Sequence, residues 1–266
     1  MPVVQGGMGV GVSLAGLASA VANQGGVGVI SSAGLGAIYN NYSKDYRAAS
    51  IWGLKEELRK AREATRGIIG VNVMVAMSNF ADMVKTAIQE IVAEVRAFEA
   101  AHGCRIPVIA GGGIYTGEDI YRIMELGADG VQMGTRFVTT EECDADPAFK
   151  QSYIEAHEED IEIIQSPVGM PGRAIRNSFL DRVKEGLKVP RACPFDCIKT
   201  CDVTHSPYCI MLALYNAFKG RLRNGYAFCG SNAWRAEKIQ SVRDLMASLR
   251  AEYEAFSLKD KIFGVK

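Results

Sequence analysis

The sequence predicts an α/β fold of parallel strands, each running into a glycine-rich or small-residue turn. Three observations predict it. Short apolar runs at 2–5, 27–30, 68–75, 106–110 and 130–133 mostly end at glycine or small polar residues, the pattern of a buried strand followed by a turn. Amphipathic helical patterns separate several of these runs, so strand, helix and strand follow one another. The 28 glycines cluster at turns rather than in a repeat, which favours α/β architecture over low complexity.

At 266 residues the chain is long enough for one large α/β domain or two smaller ones, and its apolar fraction of 48% supports a sizeable core. Lys+Arg and Asp+Glu are both 30, so no global field argues for nucleic acid or an anionic membrane. No apolar run approaches the ~20 residues needed to span a bilayer. The N-terminus lacks the basic segment and apolar core of a secretory signal. Seven cysteines, an odd number, fit a reducing cytoplasm better than a disulfide framework. The expected location is therefore cytoplasmic, and the expected partner a small molecule.

The first strand, Pro2 to Gln5, leads into the turn Gly6-Gly7-Met8-Gly9. Ser13 to Asn23 is a small-residue helix with Leu14, Leu17, Ala18 and Val21 on one face. After Gly25-Gly26, Val27 to Ile30 forms the second strand, and Ser31-Ser32-Ala33-Gly34 the turn after it. The Gly6 to Gly11 cluster superficially matches a dinucleotide fingerprint. That motif needs an acidic residue ~20 positions further on, where this chain has Gly25-Gly26-Val27, so the Rossmann reading is rejected. Tyr39 to Arg66 is polar, with Trp52, Leu54, Leu58 and Ala61 marking a helix packed by one edge.

Ile68 to Val75 is the third strand. Asn72 stands within it, where an unpaired amide would cost ~1–3 kcal/mol, so it bonds either backbone or a ligand. Asn79 caps a helical pattern that runs unbroken from Phe80 to His102. Its 23 residues would make about 35 Å of helix. A crossover over a strand of ~17–20 Å has no need of that length. The excess centres on Glu90-Ile91, as though two ordinary helices had been joined.

Residues 106 to 137 organise the chain. Ile106 to Ala110 is a strand that stops at Gly111, Gly112 and Gly113. Thr116 is the N-cap of the next helix, with Glu118 and Asp119 in the first turn, where the helix dipole favours negative charge. Ile120, Ile123 and Met124 give its apolar face, and Gly127 its stop. Val131 to Met133 resumes a strand that Gly134-Thr135 closes. Two such turns make a phosphate cradle, because backbone N–H groups approach an anion only where no side chain intervenes. In a (β/α)8 barrel such a site follows the last two strands. A plain βαβ unit with glycine turns would show the same spacing.

Asp146 caps a helix with Pro147 at its first position, running to about Asp160. His157, among Glu155, Glu158 and Glu159, is expected to be solvated. Ile161 to Gln165 is a short strand or edge pairing, and Pro167 to Arg173 a rigid loop. Cys193, Cys197, Cys201 and Cys209 follow with the spacing C-x3-C-x3-C-x7-C. Four thiols so close could hold a metal or an iron–sulfur cluster, although neither zinc pairs nor ferredoxin runs use this spacing. If 194–201 is helical, the first three share one face and simply pack. His205 is a loop histidine with no visible partner. Met211 to Lys219 and Val242 to Phe256 are helical.

Taken together these residues resemble the nitronate monooxygenase family, the FMN-dependent barrels once called 2-nitropropane dioxygenases. The matching pieces are Gln5 to Gly9, Gly70-Val71-Asn72, Ile106 to Ile114, Gly127 to Phe137, the loop Gly169 to Asn177 and the cysteine segment. The pairing of AGGGI with GADGVQMGT at this distance is the most specific. The resemblance implies a (β/α)8 TIM-barrel type of fold with C-terminal helices. Its expected parts are an FMN-binding barrel portion at 1–166 and a C-terminal loop, cysteine-rich segment and helices at 167–266. It implies that the backbone of Gly6, Gly7 and Met8 lies against the flavin and that Asn72 bonds the isoalloxazine or ribityl part. Gly112, Gly113, Gln132, Met133, Gly134 and Thr135 would hold the phosphate. The implied reaction oxidises alkyl nitronates with O2 to carbonyl compounds and nitrite.

The chain also departs from that family. Family members carry further βα units between the third strand and AGGGI, one ending in a Gly-Gly-His turn that supplies the catalytic histidine. This sequence has no such turn, and His102, His157 and His205 sit elsewhere, so no catalytic residue is assigned. The missing units would fall at Glu90-Ile91. About five of eight parallel strands remain, and five cannot close the usual barrel. An incomplete, open sheet with exposed edges is expected, with self-association as one way to cover them. Two alternatives stand beside the family reaction: a flavin-dependent enoyl-acyl-carrier-protein reductase, and a catalytically impaired FMN-binding fragment.

Overall fold

A computed structural model of the chain describes residues 3–31, 34–72, 96, 99–101, 103, 107–167, 171–189, 192, 193, 195, 197 and 201–263. Five short strands form one parallel sheet: β1 (Val3–Gln5), β2 (Val27–Ser31), β3 (Ile68–Asn72), β4 (Ile109–Gly111) and β5 (Gly130–Met133). Their order is β3-β2-β1-β5-β4, every pairing parallel. A doubly wound dinucleotide sheet would set the fourth strand beside the first. Here the last strand lies there, as at the seam of a (β/α)8 barrel. The architecture is thus α/β of barrel type, open among the described residues, with helices on its outer face and at its C-terminal end.

Register fixes what each face does. Val3 opposite Val131, and then Met133, point outward. They are buried with Leu17 and Val21 of α1 (Ala15–Asn23), Ile120 of α4 (Gly117–Glu125), and Val242, Leu245 and Leu249 of α9 (Val242–Phe263). Ile68, Val27, Val4, Gln132 and Gly111 stand opposite one another in turn on the inner face. Side chains from all strands fill that space in a closed barrel. Here Ile68 and Ile109, on the two edge strands, are 66% and 45% exposed. The expectation of an open sheet is met among the described residues.

The sequence signals around α4 hold closely. The Thr116 hydroxyl accepts from Asp119 N–H at 3.1 Å, while the Asp119 carboxylate accepts from Thr116 N–H at 2.9 Å, a reciprocal capping box. Gly127 ends the helix at φ +96, a conformation glycine adopts without strain. α9 lies so close that a Cβ on Gly117 would stand 2.3 Å from the Leu249 carbonyl oxygen.

Several boundaries need correction. β4 begins at Ile109 and includes Gly111, and β3 ends at Asn72 within the described residues. Within the polar stretch Tyr39 to Arg66 the helix is α3 (Tyr46–Ala64); a short α2 (Leu35–Ile38) precedes that stretch, and Tyr42, in the turn between the two, stacks on Trp52. A short α5 (Thr135–Val138) follows β5, and α6 (Pro147–Ile154) stops six residues before Asp160, because 158–160 form a separate 3-10 turn. Pro171–Ile175, expected as part of a rigid loop, is strand β7, antiparallel to β6 (Ile161–Gln165). α7 (Ser178–Lys184) and α8 (Ile210–Phe218) follow, and α9 runs seven residues past Phe256. The long helical pattern at 80–102, with Glu90-Ile91, lies almost entirely outside the described residues. No helix among the described residues is long and apolar enough to cross a membrane.

Candidate functional site

Parallel strands bring their C-terminal ends to one edge of the sheet, so the turns that follow them become neighbours. Gly6 and Gly134 meet most closely: Gly6 N–H donates to the Met133 carbonyl at 2.6 Å, and a Cβ on Gly6 would lie 3.1 Å from the Gly134 Cα. That is tighter than a side chain ordinarily tolerates, so a larger residue would push the two turns apart by a few tenths of an ångström. The turn after β1 is tied by a buried pair the sequence reading did not single out. Gln5 Nε2 donates to Ser13 Oγ at 2.8 Å and to the Gly6 carbonyl, and Gln5 Oε1 accepts from Val29 N–H at 2.9 Å. Ser13 Oγ in turn accepts from Met8 N–H at 3.0 Å. Both side chains are fully buried, so their polar atoms need these partners.

α1 begins at the same edge, and its N-cap residue Leu14 has no capping side chain. Its orphan donors are served from far along the chain. Asp144 accepts from Leu14 N–H at 3.0 Å and Leu17 N–H at 3.2 Å, and Glu57 accepts from Ala15 N–H at 2.7 Å. Burial pushes the Asp144 carboxyl up to about 6, the two N–H groups only partly offsetting it. With the folded value above the unfolded one, the native state binds the extra proton. This contribution is present below about pH 4 and is lost as pH rises through 6. Asp144→Asn keeps an acceptor for both N–H groups and removes the titration. Wild type is therefore expected to lose up to about 3 kcal/mol relative to Asp144→Asn between pH 4 and pH 7.5, measured by urea unfolding at each pH.

Of the residues carried over from the resemblance, Gly112, Gly113, Gly134 and Thr135 come together after the adjacent strands β4 and β5. Gly112 and Gly113 have φ +102 and +70. A Cβ on Gly113 would meet nothing within 4 Å, so open space lies beside this turn. Among the described residues, nothing accepts from the backbone N–H groups of Gly112, Gly113, Gly134 or Thr135. Thr135 Oγ1 accepts from Gly230 N–H at 2.7 Å and keeps its own proton to donate. These are the donors a phosphate needs, and the residues present fit one. Gln132 is exposed on the inner face. Met133 is 1% exposed and packed outward, so only its backbone faces the site. Gly7 and Met8 follow Gly6 in the first turn. Asn72 ends β3 opposite Ser31, and its side chain lies outside the described part of the structure.

The flanks of the two turns carry a group that the sequence did not reveal. The guanidinium groups of Arg136 and Arg235 both lie over the Tyr115 ring, at 4.7 and 4.8 Å. Tyr115 is 5% exposed, and burial raises its phenol above the ordinary value while the two arginines pull against that. The Tyr115 hydroxyl and Arg136 Nε are buried and make no hydrogen bond of normal geometry, although the Arg136 guanidinium lies near enough to the hydroxyl to pull its pKa down.

The other candidates resolve more simply. His157 is solvated as expected, its side chain 74% exposed beside Asp160. His205 is also exposed but has partners after all: Nδ1 lies 2.7 Å from Asp202 Oδ2 and 3.0 Å from Thr204 Oγ1. His102 lies outside the described residues. Cys193, Cys201 and Cys209 line one cavity of about 20 Å3, while Cys197 and Cys209 pack beside Val10 and Met211. Burial, with smaller contributions from the neighbouring Cys209, Cys193 and Cys201, pushes the Cys197 thiol up to about 11. Among the described residues no group of three or more His, Cys, Asp or Glu is arranged to hold a metal ion. The helix considered for 194–201 lies largely outside the described residues.

A parallel sheet in barrel order, with its glycine turns gathered at the C-terminal strand ends, defines an α/β protein of (β/α)8-barrel type. The chain belongs to the nitronate monooxygenase family, whose sequence model matches residues 1–105 and 88–252. The match comes in two stretches that overlap at 88–105, around Glu90-Ile91. A probable nitronate monooxygenase of Staphylococcus saprophyticus is 40% identical over 80 residues, covering 30% of this chain and 22% of that protein. One from Staphylococcus haemolyticus is 41% identical over the same coverage. The matched stretch thus spans about a fifth of the length of these relatives. Among solved structures, FabK from Thermotoga maritima superposes with a TM-score of 0.68 at 23% identity, covering 98% of this chain and 95% of that one. A nitroalkane oxidase from Streptomyces ansochromogenes gives 0.64 at 20% identity, covering 97% of each. At these identities the likeness shows the fold.

Proposed function

We propose that this chain is an FMN-dependent oxidoreductase of the nitronate monooxygenase type, oxidising alkyl nitronates with O2 to carbonyl compounds and nitrite. The observation that carries the reading is the pair of adjacent glycine turns, Gly112-Gly113 and Gly134-Thr135, with unpaired backbone donors in a chain of this family. Bound FMN would supply the redox chemistry. The chain's part is to hold and orient it. The four N–H groups and the Thr135 hydroxyl bind the phosphate, and the turn at Gly6, Gly7 and Met8, fixed by Gln5 and Ser13, presents backbone to the ring system. Asn72 bonds the isoalloxazine or ribityl portion, and Gln132 lies on the open inner face beside it. The partners are a small-molecule nitronate and O2.

A second reading rests on the absence of any Gly-Gly-His sequence and on the exposed positions of His157 and His205. The chain then binds FMN without turning over nitronate. One assay separates the two: nitrite release from ethyl nitronate by FMN-loaded protein against the same concentration of free FMN. Release well above the free-FMN background is the expected result, and release equal to it leaves only the binding function. NADH oxidation stimulated by an enoyl thioester, with no nitrite released, would favour the enoyl-reductase alternative.

A further inference from the structure

We propose that the loop Gly230–Arg235 is a clasp that holds the two glycine turns in register and completes the phosphate site from the C-terminal part of the chain. This rests on the FMN reading above. Its first support is connectivity, because the loop bonds both turns directly. Gly230 N–H donates to Thr135 Oγ1 at 2.7 Å, and Asn232 Nδ2 donates to the Gly113 carbonyl at 2.7 Å. A Cβ on Gly230 would stand 2.9 Å from Thr135 Oγ1, so the first of these contacts needs a glycine there. Gly113 sits at φ +70, and Asn232 fixes the peptide plane that leaves it. One loop, 95 and 119 residues away in sequence, thus sets the position of both halves of the cradle.

Charge is the second support. Arg235 ends the loop and lies over Tyr115, two residues past Gly113. Arg136, next to Thr135, lies over the same ring. Among the described residues neither guanidinium forms an ion pair, and the one carboxylate that acts on this ring, Glu237, sets a single negative charge against two positive ones. Like charges held this close repel, and one carboxylate balances only one of them, so the pair retains a net positive charge. Buried beside them, Arg136 Nε has no acceptor, and the Tyr115 hydroxyl, although close to the Arg136 guanidinium, has no acceptor for its own proton. A net positive charge and unpaired donors at the rim of two donor-rich turns together point to a phosphate dianion. Asn232 and Arg235 act as positioning residues, the one through Gly113 and the other through Tyr115.

The test compares FMN with riboflavin, which lacks only the phosphate. Wild type, Asn232→Ala, Arg235→Gln and Arg235→Lys are titrated with each ligand by flavin fluorescence at low and high salt, and their melting temperatures are recorded. Asn232 and Arg235 are at the surface, so all four proteins are expected to fold. The FMN-to-riboflavin affinity ratio also cancels any loss of folded protein common to both titrations. In Asn232→Ala and Arg235→Gln the Kd for FMN should rise about tenfold or more while that for riboflavin stays within about twofold. Arg235→Lys should recover most of the loss, and the FMN affinity of Arg235→Gln should depend less on salt. An unchanged Kd for FMN, or equal losses for the two ligands, overturns the clasp while leaving FMN binding intact. Wild-type protein that takes up neither flavin overturns the FMN reading, and the clasp with it.

Discussion

Gly28→Ala is expected to lower the stability of the fold by about 3 kcal/mol. Gly28 lies on the outer face of β2, directly beneath α1. A Cβ there would stand 1.8 Å from the Ala18 carbonyl oxygen and 2.5 Å from its carbonyl carbon. Those are backbone atoms of a helix, so no rotamer change relieves the overlap. The helix must lift from the sheet, opening the buried contacts among Ala15, Ala18, Ile30 and Ala61. Gly70, on the inner face of β3, is the matched control, since a Cβ there would reach only Val29 Cγ2 at 3.5 Å, an ordinary contact. Urea unfolding should show a large drop in midpoint for Gly28→Ala and a small change for Gly70→Ala. Equal midpoints would mean that α1 does not seat on β2 as described.

Gly113→Ala is expected to act on ligand binding far more than on folding. The methyl group meets no protein atom within 4 Å, so the only folding cost is backbone strain at φ +70, about 1–2 kcal/mol for an alanine. It would stand in the open space beside the turn, where the proposed phosphate approaches the backbone. The Kd for FMN should rise about 100-fold, with the melting temperature falling by only a few degrees. A folded variant that binds FMN as wild type does would remove this turn from the site.

The parts legible in the sequence were those whose causes are local. β2 announces itself through the branched apolar residues Val27, Val29 and Ile30 before small turn residues, β5 through Val131 and Met133 before Gly134, and α4 through Thr116, Asp119 and Gly127, all within one short stretch. β7 was hidden because Pro171, Gly172 and Arg173 read as a turn. Proline is tolerated there as the first residue of its strand. The glycine is needed because a Cβ would lie 2.4 Å from the Phe228 ring packed over it. The supports of the candidate site were hidden for another reason. Asp144 and Glu57 cap α1 from 130 and 42 residues away. Gly230 and Asn232 reach the glycine turns from still other parts of the chain, and His205 finds Asp202 only once its loop has folded. No periodicity records such contacts. The glycine turns were visible because a backbone that must come close to something requires glycine wherever its partner lies. The Arg136–Tyr115–Arg235 stack left no comparable mark.

The two glycine turns at the C-terminal ends of β4 and β5 are the proposed FMN phosphate site of this family member. Calorimetric titration of the purified, flavin-stripped chain with FMN, and then with riboflavin, tests it most directly. One FMN per chain, bound about 100-fold more tightly than riboflavin and giving flavin absorbance near ~450 nm, is the predicted result. A chain that stays colourless, or that binds the two flavins equally well, would contradict it.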